Sequence, residues 1–288
     1  MSLADFDALW DYDQPAATEA RFRARLLELA GQPALQIELQ TQIARAQGLQ
    51  RQFDAAHHTL DEVEQALTPG LMRGQIRYHL ERGRVFNSAG QPEQARPHFQ
   101  TAWEQARATG RDDLAVDAAH MLAIVAPPAE QETWNWQALA LAEHSADPAA
   151  RHWLGALCNN LGWTYHGQGD FARALELFER AVAFRAAQGQ PRETRIARWC
   201  VARTLRSLTQ FEAALQQQQA LLLEAEAAGA PDGFISEEVG ENLLALGRPA
   251  EAQPHFAAAH RLLMQDPWLA AQAPARLERL RVLGQSPV

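Results

Sequence analysis

The sequence contains no lysine: all 26 basic residues are arginine. That absence excludes a Walker-type phosphate loop, which needs a Lys on the phosphates, and Schiff-base or pyridoxal chemistry, which needs a Lys amine. Cysteine is almost as scarce. Cys158 and Cys200 are the only two, with no CxxC spacing, so neither a disulfide framework nor a structural zinc is expected and a reducing compartment fits. No stretch approaches the ~18 consecutive apolar residues of a membrane span. The acidic opening MSLADFDALW lacks a charged segment followed by an apolar one, so the expected location is cytoplasmic. A net charge of -9 leaves no general excess of base for nucleic acid or an anionic membrane, and neither is an expected partner.

What is present points to helices. With 288 residues, 47% of them hydrophobic, the chain can bury a substantial core as one elongated array or two compact domains. Strand patterns are nearly missing. Pro follows caps or turns at Asp147-Pro148, Gln190-Pro191 and Asp266-Pro267, the favoured first position of a helix. Apolar residues recur at three- and four-residue spacing, as in Leu154, Leu157, Leu161, Trp163 and Tyr165, then Phe171, Ala174, Leu175, Phe178 and Ala181. The fold class is all-α.

One short pattern repeats. Taken from the start of a second helix, it begins at Phe53, Pro92, Asn135, Phe171, Phe211 and Pro249, at intervals of 39, 43, 36, 40 and 38 residues. Three residues after each start stands alanine: Ala56, Ala95, Ala138, Ala174, Ala214 and Ala252. Seven residues after it stand Leu60, Phe99, Ala142, Phe178, Gln218 and Phe256, and nine before it Ala44, Gly83, Gly162, Ala202 and Gly240, the third unit failing to register. Two antiparallel helices approach closely only where the crossing carries Gly or Ala, and a large apolar residue beside it fills the groove. A lone pair cannot bury its apolar face, so stacked pairs imply a solenoid.

The string Gly167-Gln168-Gly169 precedes a helix, where a phosphate loop would also sit. Without a preceding strand or a lysine it reads as the turn between helices Leu154–His166 and Phe171–Arg185, both glycines serving the reversal.

Leu161-Gly162, Tyr165, Gly169, Phe171, Ala174, Phe178 and Ala181 resemble the tetratricopeptide repeat (TPR) signature. The period, nearer 40 than the usual ~34, is similar to the long-helix variants of kinesin light chains and of Leu-Gly-Asn-rich polarity adaptors. The resemblance implies a right-handed α-α superhelix of about six hairpins over residues 37–264, the third irregular. Residues 1–36, with a helix from Pro15 to Ala30, and residues 265–288, broken near Pro274, would flank it.

In such solenoids the first helix of each pair lines a concave face, and the resemblance implies that a peptide or partner segment binds there. The positions opposite the packing residues Leu161 and Tyr165 are Asn159, Asn160, Trp163 and His166, with Arg45, Arg84, Asn87, Trp199, Arg203 and Arg206 corresponding elsewhere. Asn donates to and accepts from a backbone at once, Trp supplies rigid area, and Arg pairs with carboxylates. Arg45, Arg84 and Arg203 share one column and would form an interior basic stripe if the turns stack. The Asn160 column otherwise reads Gln42, Glu81, Cys200 and Glu238, a departure from the polarity adaptors.

Catalysis finds no foothold. Ten histidines form no HExxH or HxH string, no GxSxG occurs, and the paired acids Asp112-Asp113 and Glu237-Glu238 suit helix starts or solvated faces. Both cysteines fall in first helices, where a free thiol behaves as a small hydrophobe. No metal, cofactor or catalytic residue is expected. The function this implies is a non-enzymatic protein-protein interaction adaptor, with self-association open. The alternative is a TPR regulator that senses signalling peptides or controls response regulators.

Overall fold

The computed structural model describes residues 6–285, apart from the side chain of Asp7. The first five residues of the acidic N-terminal decapeptide lie outside the described residues. The chain forms two compact units, one ending at Leu157 and the other beginning at Cys158. No strand occurs among the described residues.

The first unit opens with a 3-10 turn at Asp7–Leu9 and helix α1 (Pro15–Glu28). Three hairpins follow: α2 (Pro33–Leu49) with α3 (Phe53–Ala66), α4 (Met72–Ser88) with α5 (Pro92–Ala108), and α6 (Asp112–Val125) with α7 (Pro128–His144). The short α8 (Pro148–His152) ends it. The second unit holds most of α9 (Leu154–Gln168), which pairs with α10 (Phe171–Ala187), then α11 (Pro191–Ser207) with α12 (Phe211–Ala227) and α13 (Gly233–Ala245) with α14 (Pro249–Leu263). Two last helices, α15 (Pro267–Gln272) and α16 (Pro274–Gln285), follow. Within each unit successive helices pack on one another, and first helices also meet, α2 on α4, α4 on α6 and α11 on α13.

The repeated columns form the core. All six column alanines, from Ala56 to Ala252, are buried, as are the six residues four positions later. The small residues sit where the helices cross: a Cβ built on Gly83, Gly162 or Gly240 would stand 2.6, 2.6 and 2.9 Å from a ring carbon of Phe99, Phe178 and Phe256. Where the crossing residue is Ala, its column partner is smaller than Phe, Leu60 for Ala44 and Gln218 for Ala202. Volume is conserved across the pair. Gln218 meets this demand poorly, since its amide oxygen and nitrogen are both buried without a partner among the described residues.

Two expectations are corrected. The third second-helix starts at Pro128, seven residues before Asn135, because Pro127 is extended (φ -54°, ψ 148°) and Pro128 takes the first helical position. Seven residues are close to two turns, so Ala138 and Ala142 still face the core. The second correction concerns Gly167, which is helical; α9 runs on to Gln168. Gly169 alone makes the reversal, at φ +82°. Its N–H donates to the His166 carbonyl at 3.1 Å and the Asp170 N–H to the Tyr165 carbonyl at 3.0 Å, closing the helix end as a Schellman motif. The Asp170 carboxylate then accepts the Arg173 N–H and starts α10.

Candidate functional site

First helices present their half-buried polar residues on one stripe because the opposite stripe is spent on the core. On α9, Leu161 and Tyr165 are buried, while Asn159, Asn160, Trp163 and His166 are partly exposed. The two units are described in turn.

In the first unit, Arg45 on α2 and Arg84 and Asn87 on α4 line a small cavity of about 140 Å³, together with Met121 of α6. Arg84 donates to Glu81 at 2.7 Å and also to Asp117. Glu81 is fully buried and accepts from Gln42 at 3.3 Å, with Arg45 at 3.9 Å. Gln42 in turn accepts the Trp10 indole N–H at 3.1 Å, and Arg45 lies 5.3 Å from the Trp10 ring centre and 5.3 Å from that of Tyr12. Burial opposes charge on both members of the Arg84–Asp117 pair. Their mutual attraction outweighs it, raising the guanidinium and holding the carboxyl below its usual range. Asn87 is different: its side chain has no hydrogen-bond partner among the described residues.

In the second unit, Trp163 stands edge-on to Phe178 at 5.2 Å and lies 6.1 Å from Trp199, which lies 6.4 Å from Phe234. An aromatic row therefore crosses α9, α11 and α13. Asn159 accepts the Cys200 thiol at 3.5 Å, leaving its amide NH2 without a partner among the described residues. Burial pushes the Cys200 thiol up to about 12, so it is a packed hydrophobe and not a nucleophile. His166 meets the Ser207 hydroxyl at 3.0 Å. Burial, then Arg203 and Arg206, hold its imidazole below the ordinary histidine value. Both arginines converge on Glu238 of α13, Arg203 at 3.0 Å and Arg206 through two contacts of 2.8 and 3.0 Å.

The basic stripe expected through Arg45, Arg84 and Arg203 is thus corrected. Glu81 and Asp117 neutralise Arg45 and Arg84, and Glu238 is shared by Arg203 and Arg206. Each acid stands on a first helix, so the stripe alternates in sign and holds neighbouring hairpins in register. Phe234 escaped the sequence reading because it stands in the first turn of α13, ahead of every column that the repeat pattern follows. The acids escaped it because Glu81 and Glu238 were read only as departures within the Asn160 column and Glu237-Glu238 as a helix-start or solvated pair, whereas both glutamates of that pair are buried and Glu238 lies 32 residues from Arg206, within one repeat of it. Among the described residues no three His, Cys, Asp or Glu side chains converge to hold a metal. Nor is any described helix long and apolar enough to cross a membrane.

Comparison with known proteins places this geometry. Residues 154–187 match the tetratricopeptide repeat family profile, the stretch that contains Asn159, Gly162 and Phe178. No curated protein matches the chain. Among solved structures, the apo form of RapI superposes with a TM-score of 0.76 at 12% identity, over 99% of this chain and 81% of its own. A Pyrococcus horikoshii signal-transduction ATPase with a tetratricopeptide repeat sensor gives 0.71 at 14%, over 93% of this chain. This chain spans only 44% of that one. The kinesin light chain TPR-like repeats from Podosopora anserina give 0.54 at 18%, over 66% of this chain and 95% of theirs. The fold is that of the TPR solenoids, and residues 154–187 are one of its repeats.

Proposed function

We propose that this protein, built on the TPR fold, is a non-enzymatic cytoplasmic adaptor that binds a peptide or partner segment on the first-helix surfaces of its hairpins. The observation that carries the reading is a pair of asparagines with unspent amide groups, Asn87 on α4 and Asn159 on α9. Both are half buried on first helices, where an extended backbone finds a donor and an acceptor on one side chain. Trp163, Trp199 and His166 add rigid area beside Asn159. The arginines contribute differently from the sequence expectation: paired with acids, they hold the surface in shape and leave recognition to the asparagines and aromatics.

A regulator is the second reading. It is supported by the likeness to the Pyrococcus horikoshii protein, whose TPR segment is described as a sensor.

Affinity capture from native lysate tests the adaptor reading. The full chain should retain a specific protein that the Asn87→Arg/Asn159→Arg variant, folded by circular dichroism, does not retain. Equal capture by the two would overturn the surface assignment.

A further inference from the structure

In the second unit a recess of about 390 Å³ opens between α11 and the start of α13. Its walls are apolar: Ile196 and Trp199 from α11, Phe234 and Ile235 from α13. Ile196 is 47% exposed and Phe234 37%, an unusual outlay of apolar surface in so polar a neighbourhood. Behind the far wall Arg276 lies 5.2 Å from the centre of the Phe234 ring and is itself held by Glu237. That wall is fixed.

Two polar features decide what such a recess accepts. Arg192 and Arg195 stand at the mouth and form no ion pair among the described residues, whereas Arg198, Arg203, Arg206, Arg276 and Arg279 of the same unit are all paired with acids. Asp232, the one carboxylate at the rim, is spent as the cap of α13, accepting the Phe234 and Ile235 N–H groups at 2.8 and 3.4 Å. In a chain of net charge -9, two unpaired guanidiniums over an aromatic wall are a local reversal of sign.

We propose that this recess binds a small amphipathic carboxylate, its apolar body against Trp199 and Phe234 and its anionic head between Arg192 and Arg195. The volume is at the lower end of the ~300–1,000 Å³ typical of ligand pockets, enough for one ring or a short branched chain. An extended peptide would need polar partners repeating every ~3.3 Å. Here there is one pair of cations and no such series. The site is a second function beside partner binding: it shares Trp199 with the first-helix surface but uses neither Asn87 nor Asn159, the positions that the capture experiment alters, so either assignment can fail alone.

Calorimetric titration of the full chain with phenylbutyrate, with its uncharged amide, and with a blocked Glu-Phe-Glu tripeptide tests the proposal. The acid should bind with a Kd of about 0.1–1 mM, and the amide at least about tenfold more weakly, since charge-assisted contacts to Arg are lost. In the Arg192→Gln/Arg195→Gln variant, whose two side chains lie outside the core, acid and amide should bind alike. Thermal melting should match the wild type. Absence of acid binding up to about 10 mM, equal binding of acid and amide to the wild type, or discrimination surviving in the variant would each overturn the site. Tighter binding of the tripeptide than of the acid would also overturn it and assign the recess to a protein partner.

Discussion

Phe178→Ala lowers the unfolding free energy by about 3–5 kcal/mol, the cost of deleting a fully buried ring from a core that cannot collapse around it. Phe178 is inaccessible to solvent and touches Gly162 so closely that no Cβ fits between them. The reverse change carries the same information. Gly162→Ala gains about 1 kcal/mol of helix propensity but forces a methyl to within 2.6 Å of the ring, where overpacking costs about 1–3 kcal/mol. The net loss expected is about 1 kcal/mol. Combining Gly162→Ala with Phe178→Leu recreates the Ala44–Leu60 pairing of the first hairpin, so the double variant should be more stable than the sum of the two singles. Chemical denaturation of the four proteins measures that coupling, and strict additivity would contradict the column as drawn. By the same logic Gln218→Leu, which removes an amide buried without partners, should raise stability.

Acid should weaken the first unit through a cluster of histidines. His79 of α4 and His98 of α5 share one proton between their Nδ1 atoms at 3.1 Å, and Arg82 reaches His57 Nδ1 at 2.9 Å and also Asp61. Tyr78 and Glu64 complete the surroundings. Burial, then His98 and Arg82, lower His79 from 6.5 to about 4. His98 and His57 move the same way, burial again leading. Because the folded values lie below the unfolded one, the unfolded chain binds more protons between pH 6.5 and about 4, and stability falls as pH drops through that window. For His79 alone the loss is about 2–3 kcal/mol, at ~1.4 kcal/mol per unit and reduced for its partial exposure. Thermal midpoints between pH 7 and pH 4 should fall less in His79→Gln than in the wild type. Parallel curves would show that the cluster does not carry the effect.

The parts of the fold legible in the sequence were those that packing enforces. Ala174 occupies a position that is alanine in all six units, and Gly162 and Phe178 occupy positions whose sizes trade off across the helix pair, so the columns repeat and the hairpins can be counted. Asn135 misled because a helix extended by seven residues keeps the same face. Gly167 misled because glycine is tolerated on the exposed side of a helix end, and only the positive φ at Gly169 distinguishes the turn residue from its neighbour. On the candidate surface, the stripe of α9 was readable by subtraction from Leu161 and Tyr165. Charge balance was not, because an arginine's partner lies on the next first helix and a residue-by-residue reading counts cations without their acids. The recess beside Trp199 was invisible for a related reason. Arg192, Arg195 and Phe234 fall outside the repeat columns and gain meaning only from what they lack as neighbours.

Photocrosslinking in cells tests the central claim, that first-helix surfaces contact a partner, most directly. Photoreactive phenylalanine analogues would replace Asn87 and Asn159 on first helices, and the exposed Glu104 of α5 and Glu179 of α10 on second helices. The account predicts that the first two positions yield the same crosslinked protein and the last two do not. Crosslinks confined to Glu104 and Glu179, or no specific adduct from any of the four, would contradict it.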